Sequence, residues 1–409
     1  MRVLLMSYGS RGDIAPLAAL ALRLRELGAE VRVCAPPDEE FAALLGGVGA
    51  EVVPFGRAVR ALVTGTPPPD VAGFAAELVG AHFGTVAAAA EGCDVLMASG
   101  LMPAGARSVA EKLGIPYVYA CFHPFEMPST HYPPSPRPGP PAPSGTTGNR
   151  ALWDLDARKV NALYLAPLNT HRASIGLPPV DNVRDHVFAD RPWLAADPVL
   201  GPWRELTDVD LLQTGAWILP DERPLTADVL AFLDAGTPPV YVGFGSMPMR
   251  AAADVATVSV EAVRAQGRRV LVSRGWAALG LVDDADDCHV VGDVNHQALF
   301  RRVAAVVHHG GAGTTTTAAL AGAPQVVVPQ FVDQPYWAGR VAELGIGAAH
   351  EGPAPAFESL SAALRTALTP ETSARAAAVA GTIRTDGATV AAKLLLDKAG
   401  RAEPSSATA

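Results

Sequence analysis

The chain has 409 residues, of which 49% are hydrophobic and 18% charged, with a formal net charge of −9. That length exceeds one ordinary core and calls for two domains, and the apolar content excludes a chain disordered throughout. The acidic balance excludes a broad phosphate-neutralising surface, so nucleic acid is not an expected partner.

"RVLLM" opens the chain as a short buried strand, "YGSRGD" follows as a loop, and "IAPLAALALRLRELG" is a helix. Its apolar positions Leu17, Leu20, Ala21, Leu24 and Leu27 share one face, and it stops at Gly28. A second strand, "EVRVCAP", completes a βαβ unit, and "AEVVPF", "DVLMAS" and "YVYACF" continue the series. The segment 127–149, "MPSTHYPPSPRPGPPAPSGTTGN", is too rich in Pro, Ser and Gly for a core element. It reads either as a solvated loop or as a mobile flap over a substrate.

Periodicity fades around "ADPVLGPWRELTDVDLLQTGAWILPDERP" and resumes at "PPVYVGFGS". Strands at "RRVLVS", "CHVVG", "AAVVHH" and "PQVVVP" then alternate with helical segments. Two βαβα series predict an α/β chain of two Rossmann-like domains facing each other. The expected division is an N-terminal domain 1–205, a linker 206–222, a C-terminal domain 223–380, and a helix and tail 381–409, the helix returning to the first domain.

Cys34, Cys93, Cys121 and Cys288 are scattered, without CxxC or zinc spacing, and read as reduced, buried thiols. The N-terminus is too short in apolar residues for a signal-peptide core, and no uncharged apolar span of about 20 residues stands out. A cytoplasmic, soluble monomer is expected.

The stretch "AAVVHHGGAGTTTTAALAGAP" carries the sharpest chemistry. A strand ends at the histidines, glycines turn the chain, and a helix begins, which places its free N–H groups at the carboxyl edge of a sheet where ligands of such folds bind. Gly310, Gly311 and Gly313 admit close backbone approach to an anion, and Thr314 and Thr315 can add hydroxyl donors. There is no GK[ST], so a Walker-type NTP site has no support. His309 adjoins the turn and suits a phosphate oxygen, whereas His308 suits packing or loop anchoring. His82, His171 and His186 have no identifiable partners and read as structural.

"HHGGAGTT" with "AGAPQVVVPQFVDQPYWAGRV" looks like the nucleotide-sugar donor signature of GT-B glycosyltransferases of the UDP-glucuronosyltransferase-like superfamily. "GSRGD", "ALALRLRELGAEVRVCAPP", "AEKLGIPY", "HRASIGLPPV", "WLAADPVL" and "TGAWILPDERPL" resemble more narrowly the vancomycin-group glycopeptide glycosyltransferases. The resemblance spans nearly the whole chain, and the Pro-rich segment matches least.

It implies a GT-B architecture with an interdomain cleft and a TDP- or UDP-sugar held mainly by the C-terminal domain. His309 would meet the β-phosphate, Gly311, Gly313 and Thr314 would line the diphosphate, and Asp333 with Gln334 would hold sugar hydroxyls. Ser246 would add a phosphate contact. Arg274 of "SRGW" and Val291 of "VVGDVNH" would lie along the base pocket.

Asp13 has two readings. As a structural residue it is a helix N-cap; as a functional one it is the general base that takes the proton of an acceptor hydroxyl. The resemblance places the base there, with Ser10 and Arg11 beside the diphosphate and Arg11 offsetting leaving-group charge. Asp333 is the rival base. The implied reaction is a single displacement with inversion, requiring no metal or cofactor. The acceptor would be a glycopeptide aglycone or pseudoaglycone, met by His123, Phe125 and Tyr132. Phe122 is a further aromatic that could stack on a rigid aryl group. Two alternatives are a nucleotide-sugar 2-epimerase and a catalytically inactive partner of another glycosyltransferase.

Overall fold

The computed structural model describes residues 1–64, 70–135, 137, 141–143, 145–189, 191–204, 209–245, 249, 254–275, 279 and 285–401. They form two units. One comprises 1–197, 202–219 and the chain from 384 on; the other comprises 198–201 and 220–383.

The first unit is built on a parallel sheet of seven strands: β1 (Arg2–Tyr8), β2 (Glu30–Ala35), β3 (Glu51–Pro54), β4 (Val95–Gly100), β5 (Tyr117–Cys121), β6 (Trp193–Leu194) and β7 (Leu212–Gln213). Their order is β3-β2-β1-β4-β5-β6-β7. β1 is buried from Val3 to Tyr8, as expected of a strand covered on both faces. The order reverses between β1 and β4, where Ser7 lies opposite Ser99 and Tyr8 opposite Gly100. Such a switch point leaves a crevice beyond the strand ends.

Helix α1 (Arg11–Glu26) buries Ile14, Leu17, Leu20, Ala21 and Leu24 against this sheet, and the helix Gly387–Arg401 packs beside it. α1 begins three residues earlier than its apolar stripe suggests, because Ser10 caps it. Leu212–Gln213, inside the expected linker, is an edge strand of the first sheet.

The stretch Val71–Ala90 bears on the membrane reading. These 20 residues form a helix long and apolar enough to cross a membrane by length and composition, with mean hydropathy 1.3. Ala and Val raise its hydropathy without the bulky run that catches the eye, and a π-helical turn, His82–Val86, lies within it. Its buried face includes Leu78, Val79, His82 and Val86, and Glu77 on its outer face pairs with Arg57.

A second long helix, α2 (Asn149–Ser174), receives the Pro-rich segment. Trp153 Nε1 donates to the Tyr132 carbonyl at 2.9 Å, Asn149 Nδ2 to the Thr130 carbonyl at 2.9 Å, and Arg137 Nε to buried Asp156 at 2.7 Å. Thr130, Tyr132 and Arg137 of that segment are therefore tied to α2.

The second unit carries a six-stranded parallel sheet: β8 (Val240–Val242), β9 (Val270–Ser273), β10 (Cys288–Val291), β11 (Ala305–His308), β12 (Gln325–Val327) and β13 (Gly347–Ala349). The order is β10-β9-β8-β11-β12-β13, so its switch point lies between β8 and β11. Alternate residues serve opposite cores. Val240, Val242, Val270, Val272, Ala305 and Val307 face one side, while Tyr241, Leu271 and Val306 face the other with Leu299 and Phe300. Each of these valine, leucine and phenylalanine side chains contributes about 1.5–3 kcal/mol on burial. Helix α3 (Ala312–Leu320) follows β11, and helix α4 (Gln334–Glu343) follows the loop after β12. Residues 198–201 join this unit because buried Arg340 of α4 donates to the carbonyls of Val199 and Leu200, each at 2.9 Å. All four cysteines of the chain are buried thiols.

Candidate functional site

The second sheet brings its chemistry together at the carboxyl ends of β8, β11 and β12, on either side of the switch point. β11 ends at His308, which is fully buried. Its Nδ1 accepts from the Gly310 N–H at 3.1 Å, so its Nε2–H donates to Gln325 Oε1 at 2.9 Å. Gln325 in turn donates to the Thr315 carbonyl. Burial pushes the His308 imidazole down to about 3, and it stays neutral as the anchor of the turn.

The three glycines that follow have three different reasons. Gly310 sits at φ +92°, and a Cβ there would meet Val327 at 2.6 Å and the Gln334 carbonyl at 3.1 Å, so the turn rests directly on the start of α4. Gly311 has ordinary dihedrals, φ −62° and ψ 140°, but a Cβ on it would lie 2.6 Å from His309 Nε2. Gly313 is exposed, and a Cβ there would meet nothing within 4 Å.

Gly245, just past β8, closes the other side of the His309 ring, whose Cε1 would be 3.2 Å from a Cβ there. The imidazole thus stands in a slot between two glycines across the switch point. Burial lowers His309 to about 4, against an opposing pull from Asp333, so it is a neutral hydrogen-bonding group near pH 7. Its Nδ1 is buried without a hydrogen-bond partner among the described residues.

Gly311 caps α3 through its backbone alone, with no side-chain hydrogen bond. The N–H groups of the first turn, Ala312 to Thr314, have no intrahelical acceptor by the geometry of a helix start and, with the helix dipole, make an anion site. The four threonines are unequal. Thr315, Thr316 and Thr317 donate their hydroxyls back to the carbonyls of Gly311, Ala312 and Gly313, at 3.0, 2.8 and 2.8 Å. Thr315, fully buried, is therefore not the hydroxyl donor expected of it, and among the described residues Thr314 alone of the four makes no such bond.

Beyond β12, Asp333 precedes α4 and is half-buried. Its Oδ2 accepts from the Trp337 indole N–H at 2.9 Å. Gln334 is buried, and its Oε1 accepts from the N–H groups of Gln330 and Phe331 at 2.7 and 3.2 Å. Val332, between Phe331 and Asp333, has φ +57°. At the other end of the sheet the Arg274 N–H donates to the Val291 carbonyl at 3.1 Å, joining the ends of β9 and β10; the Arg274 side chain is exposed and Val291 is buried. Ser246 and the Trp276 of "SRGW" lie outside the described residues.

In the first unit, the loop at the switch point shrinks to Gly9 and Ser10. Ser10 is the N-cap of α1, its Oγ accepting from the Gly12 N–H at 3.2 Å. Asp13 Oδ2 reaches back to the Ser10 N–H at 2.8 Å, so Asp13 is the third residue of a capping box rather than the N-cap itself. A Cβ on Gly9 would lie 2.1 Å from that carboxylate, so only glycine leaves room for it. Arg11 is exposed on the first turn.

The aromatic residues expected at an acceptor are largely packed. Phe125 is buried and stacks on His123 at 4.3 Å between centroids, and Phe122 meets buried Trp217 edge-on. Tyr132 is half-buried with its carbonyl engaged by Trp153, and His123 Nε2 stands 3.7 Å from the Glu126 carboxylate. Sequence reasoning missed Trp337 and Gly245. "FVDQPYWAG" holds a signal for the first, because Asp and Trp four apart share a helix face. Gly245 becomes visible only when β8 is set beside β11.

The comparisons with known proteins bear on the same elements. Residues 278–390 match the family model described as "Erythromycin biosynthesis protein CIII-like, C-terminal domain". The chain is 58% identical to "Glycosyltransferase GtfE" and 57% identical to "Vancomycin aglycone glucosyltransferase", both of Amycolatopsis orientalis, over 99% of each chain. It is 52% identical to the "dTDP-epi-vancosaminyltransferase" of the same organism, again over 99% of both. Among solved structures, glycosyltransferase VinC in complex with dTDP superposes with a TM-score of 0.70 at 22% identity, covering 98% of this chain and 100% of that one, a likeness of fold.

Proposed function

Because the chain belongs to the vancomycin-group glycopeptide glycosyltransferases, with their GT-B fold, we propose that it moves a sugar with inversion from a dTDP- or UDP-sugar to a hydroxyl of a glycopeptide aglycone or pseudoaglycone. The observation that carries this reading is the neutral His309 held between Gly245 and Gly311 beside the N-terminus of α3, which no side chain caps. A nucleoside diphosphate is the anion that such a site suits. dTDP is the favoured carrier, in keeping with the name of the epi-vancosaminyl relative.

In this reading the N–H groups of Gly313 and Thr314, the Thr314 hydroxyl and the His309 Nε2–H bind the diphosphate. These donors are fixed before the reaction, so charge developing on the leaving group meets them without reorganisation. Asp333 and Gln334 hold sugar hydroxyls, and Arg274 with Val291 borders the base. Asp13 takes the proton of the acceptor hydroxyl as its oxygen attacks the anomeric carbon; the bond from that carbon to the phosphate oxygen breaks, and the diphosphate leaves. Ser10 and Arg11, next to Asp13 in the chain, meet the diphosphate, and Arg11 offsets the charge that develops on the leaving group. Capping and base roles are compatible, since a carboxylate has lone pairs for both. His123 and Tyr132 contribute to the acceptor site, and the donors named here serve without a metal.

The test is to incubate the enzyme with dTDP-glucose or UDP-glucose and vancomycin aglycone, with and without EDTA, and to follow nucleotide release and product mass. Aglycone-dependent release with a hexose added to the aglycone, unchanged by EDTA, is expected. Conversion of the nucleotide sugar without aglycone would overturn the reading in favour of epimerisation.

A further inference from the structure

Asp333 occupies the N-cap position of α4, yet its side chain caps nothing. An aspartate there ordinarily accepts from the N–H groups two and three residues on, and here the residue two on is Pro335, which has none. The carboxylate turns instead to the indole of Trp337, which is 1% exposed and lies one helical turn away, with Oδ2 to Nε1 at 2.9 Å. Oδ1 makes no hydrogen bond to any described residue, and the group is half-buried.

The preceding backbone is strained for no packing return. Val332 adopts φ +57°, a left-handed conformation that is unfavourable for a β-branched residue. It is nonetheless 49% exposed, and Phe331 is 53% exposed. Gln334 Oε1 holds the loop by two N–H groups, and Gln330 Nε2 ties it to the Pro353 carbonyl at 2.8 Å. Gly310 backs onto Gln334 from the His309 turn. The strain and the ties share one effect, which is to set the direction of Asp333 at the edge of the anion site.

We propose that Trp337 is a positioning residue: its indole N–H occupies Oδ2 of Asp333 and fixes the carboxylate so that Oδ1 is the single acceptor offered to one hydroxyl of the donor sugar. This rests on the reading of Asp333 as a sugar-binding residue. A free carboxylate rotates to serve either of two neighbouring hydroxyls, whereas a clamped one reads a single position. Trp337 thereby sets sugar discrimination and leaves nucleoside diphosphate binding untouched.

The experiment compares dTDP, dTDP-glucose and its 2-, 3-, 4- and 6-deoxy analogues on the wild type, Trp337→Phe and Asp333→Asn, by calorimetry and by KM and kcat. In the wild type one deoxy analogue is expected to bind about tenfold to a hundredfold more weakly than dTDP-glucose, the loss of one charge-assisted hydrogen bond. Trp337→Phe should shrink that ratio to below about threefold, through a raised KM for dTDP-glucose, with affinity for dTDP unchanged. An unchanged ratio, or a parallel fall in dTDP affinity, overturns the proposal. If Asp333→Asn also leaves the ratio intact, the sugar-binding reading itself fails; if Asp333→Asn abolishes it and Trp337→Phe does not, only the positioning role fails. Should Trp337→Phe not fold, benzothienylalanine at position 337 replaces the N–H by sulfur at nearly constant shape, and the same outcomes apply.

Discussion

His309 and Gly311 occupy adjoining space so closely that Nε2 of the imidazole lies 2.6 Å from the point a Gly311 Cβ would take. Gly311→Ala should displace the ring with little backbone strain, since its φ of −62° suits alanine. Affinity for dTDP should fall at least about tenfold, roughly 1.4 kcal/mol, with a near-native melting temperature. Gly310→Ala should instead cost about 1–3 kcal/mol of stability from its φ of +92° alone, and more from overlap with Val327. Gly313→Ala should fold as well as the wild type or better by up to about 1 kcal/mol, yet bind dTDP more weakly. Calorimetry and thermal melts separate the three, and full dTDP affinity in Gly313→Ala would remove Gly313 from the diphosphate site.

Thr314 and Thr315 are predicted to differ although they are neighbours. Thr315→Val loses a hydroxyl already bonded to the Gly311 carbonyl and should leave dTDP affinity within about twofold. Thr314→Val should weaken it by about threefold to tenfold, the usual worth of one neutral hydrogen bond. Equal effects in a titration would contradict the assignment.

Asp13 has a capping role and a proposed catalytic one, and two variants pull them apart. Asp13→Asn keeps an oxygen for the Ser10 N–H and should retain nearly full stability. Its turnover should still drop by about 10²–10⁴, the range for loss of a general base. Asp13→Ala should lose the same activity and, in addition, about 0.5–2 kcal/mol of stability. If the asparagine variant turns over normally, Asp13 is only a cap.

Stability should fall on mild acidification. His82, His186, His308 and His309 are lowered, chiefly by burial, to about 3, 4, 3 and 4. A histidine depressed below its ordinary value of 6.5 binds its proton more readily in the unfolded chain. Stability is therefore complete above about pH 6.5 and is lost as pH falls toward 4, by at most about 1.4 kcal/mol per pH unit for each histidine. Denaturant melts between pH 7.5 and 4.5 read this directly, and a flat profile would show that these rings are not buried neutral.

Bound dTDP should protect against that loss, because it engages only the folded state. The melting temperature at pH 5 should rise with dTDP concentration in the wild type and rise less in Gly311→Ala.

Much of this protein is legible in one dimension. Continuous apolar runs such as "RVLLM" and "AAVV" mark strands buried on both faces, and their alternation with helical periodicity dictates two parallel sheets. "HHGGAGTT" announces a strand end, a turn and a helix start, because an anion-binding backbone needs those residue types in that order. The strands of two or three residues at Trp193–Leu194, Leu212–Gln213 and Gly347–Ala349 are too short to show a period, and only pairing with a neighbour defines them. Side-chain allegiance was likewise decided in three dimensions. Thr314 and Thr315 are the same residue in sequence, and the helix alone determines which hydroxyl turns back to a carbonyl. Asp13 became a capping-box residue because the helix starts at Arg11, and Asp333 was turned from its own helix by an indole one turn on. Periodicity reports what faces a core, while a hydrogen bond depends on angles and neighbours that are set when strands from distant parts of the chain lie side by side.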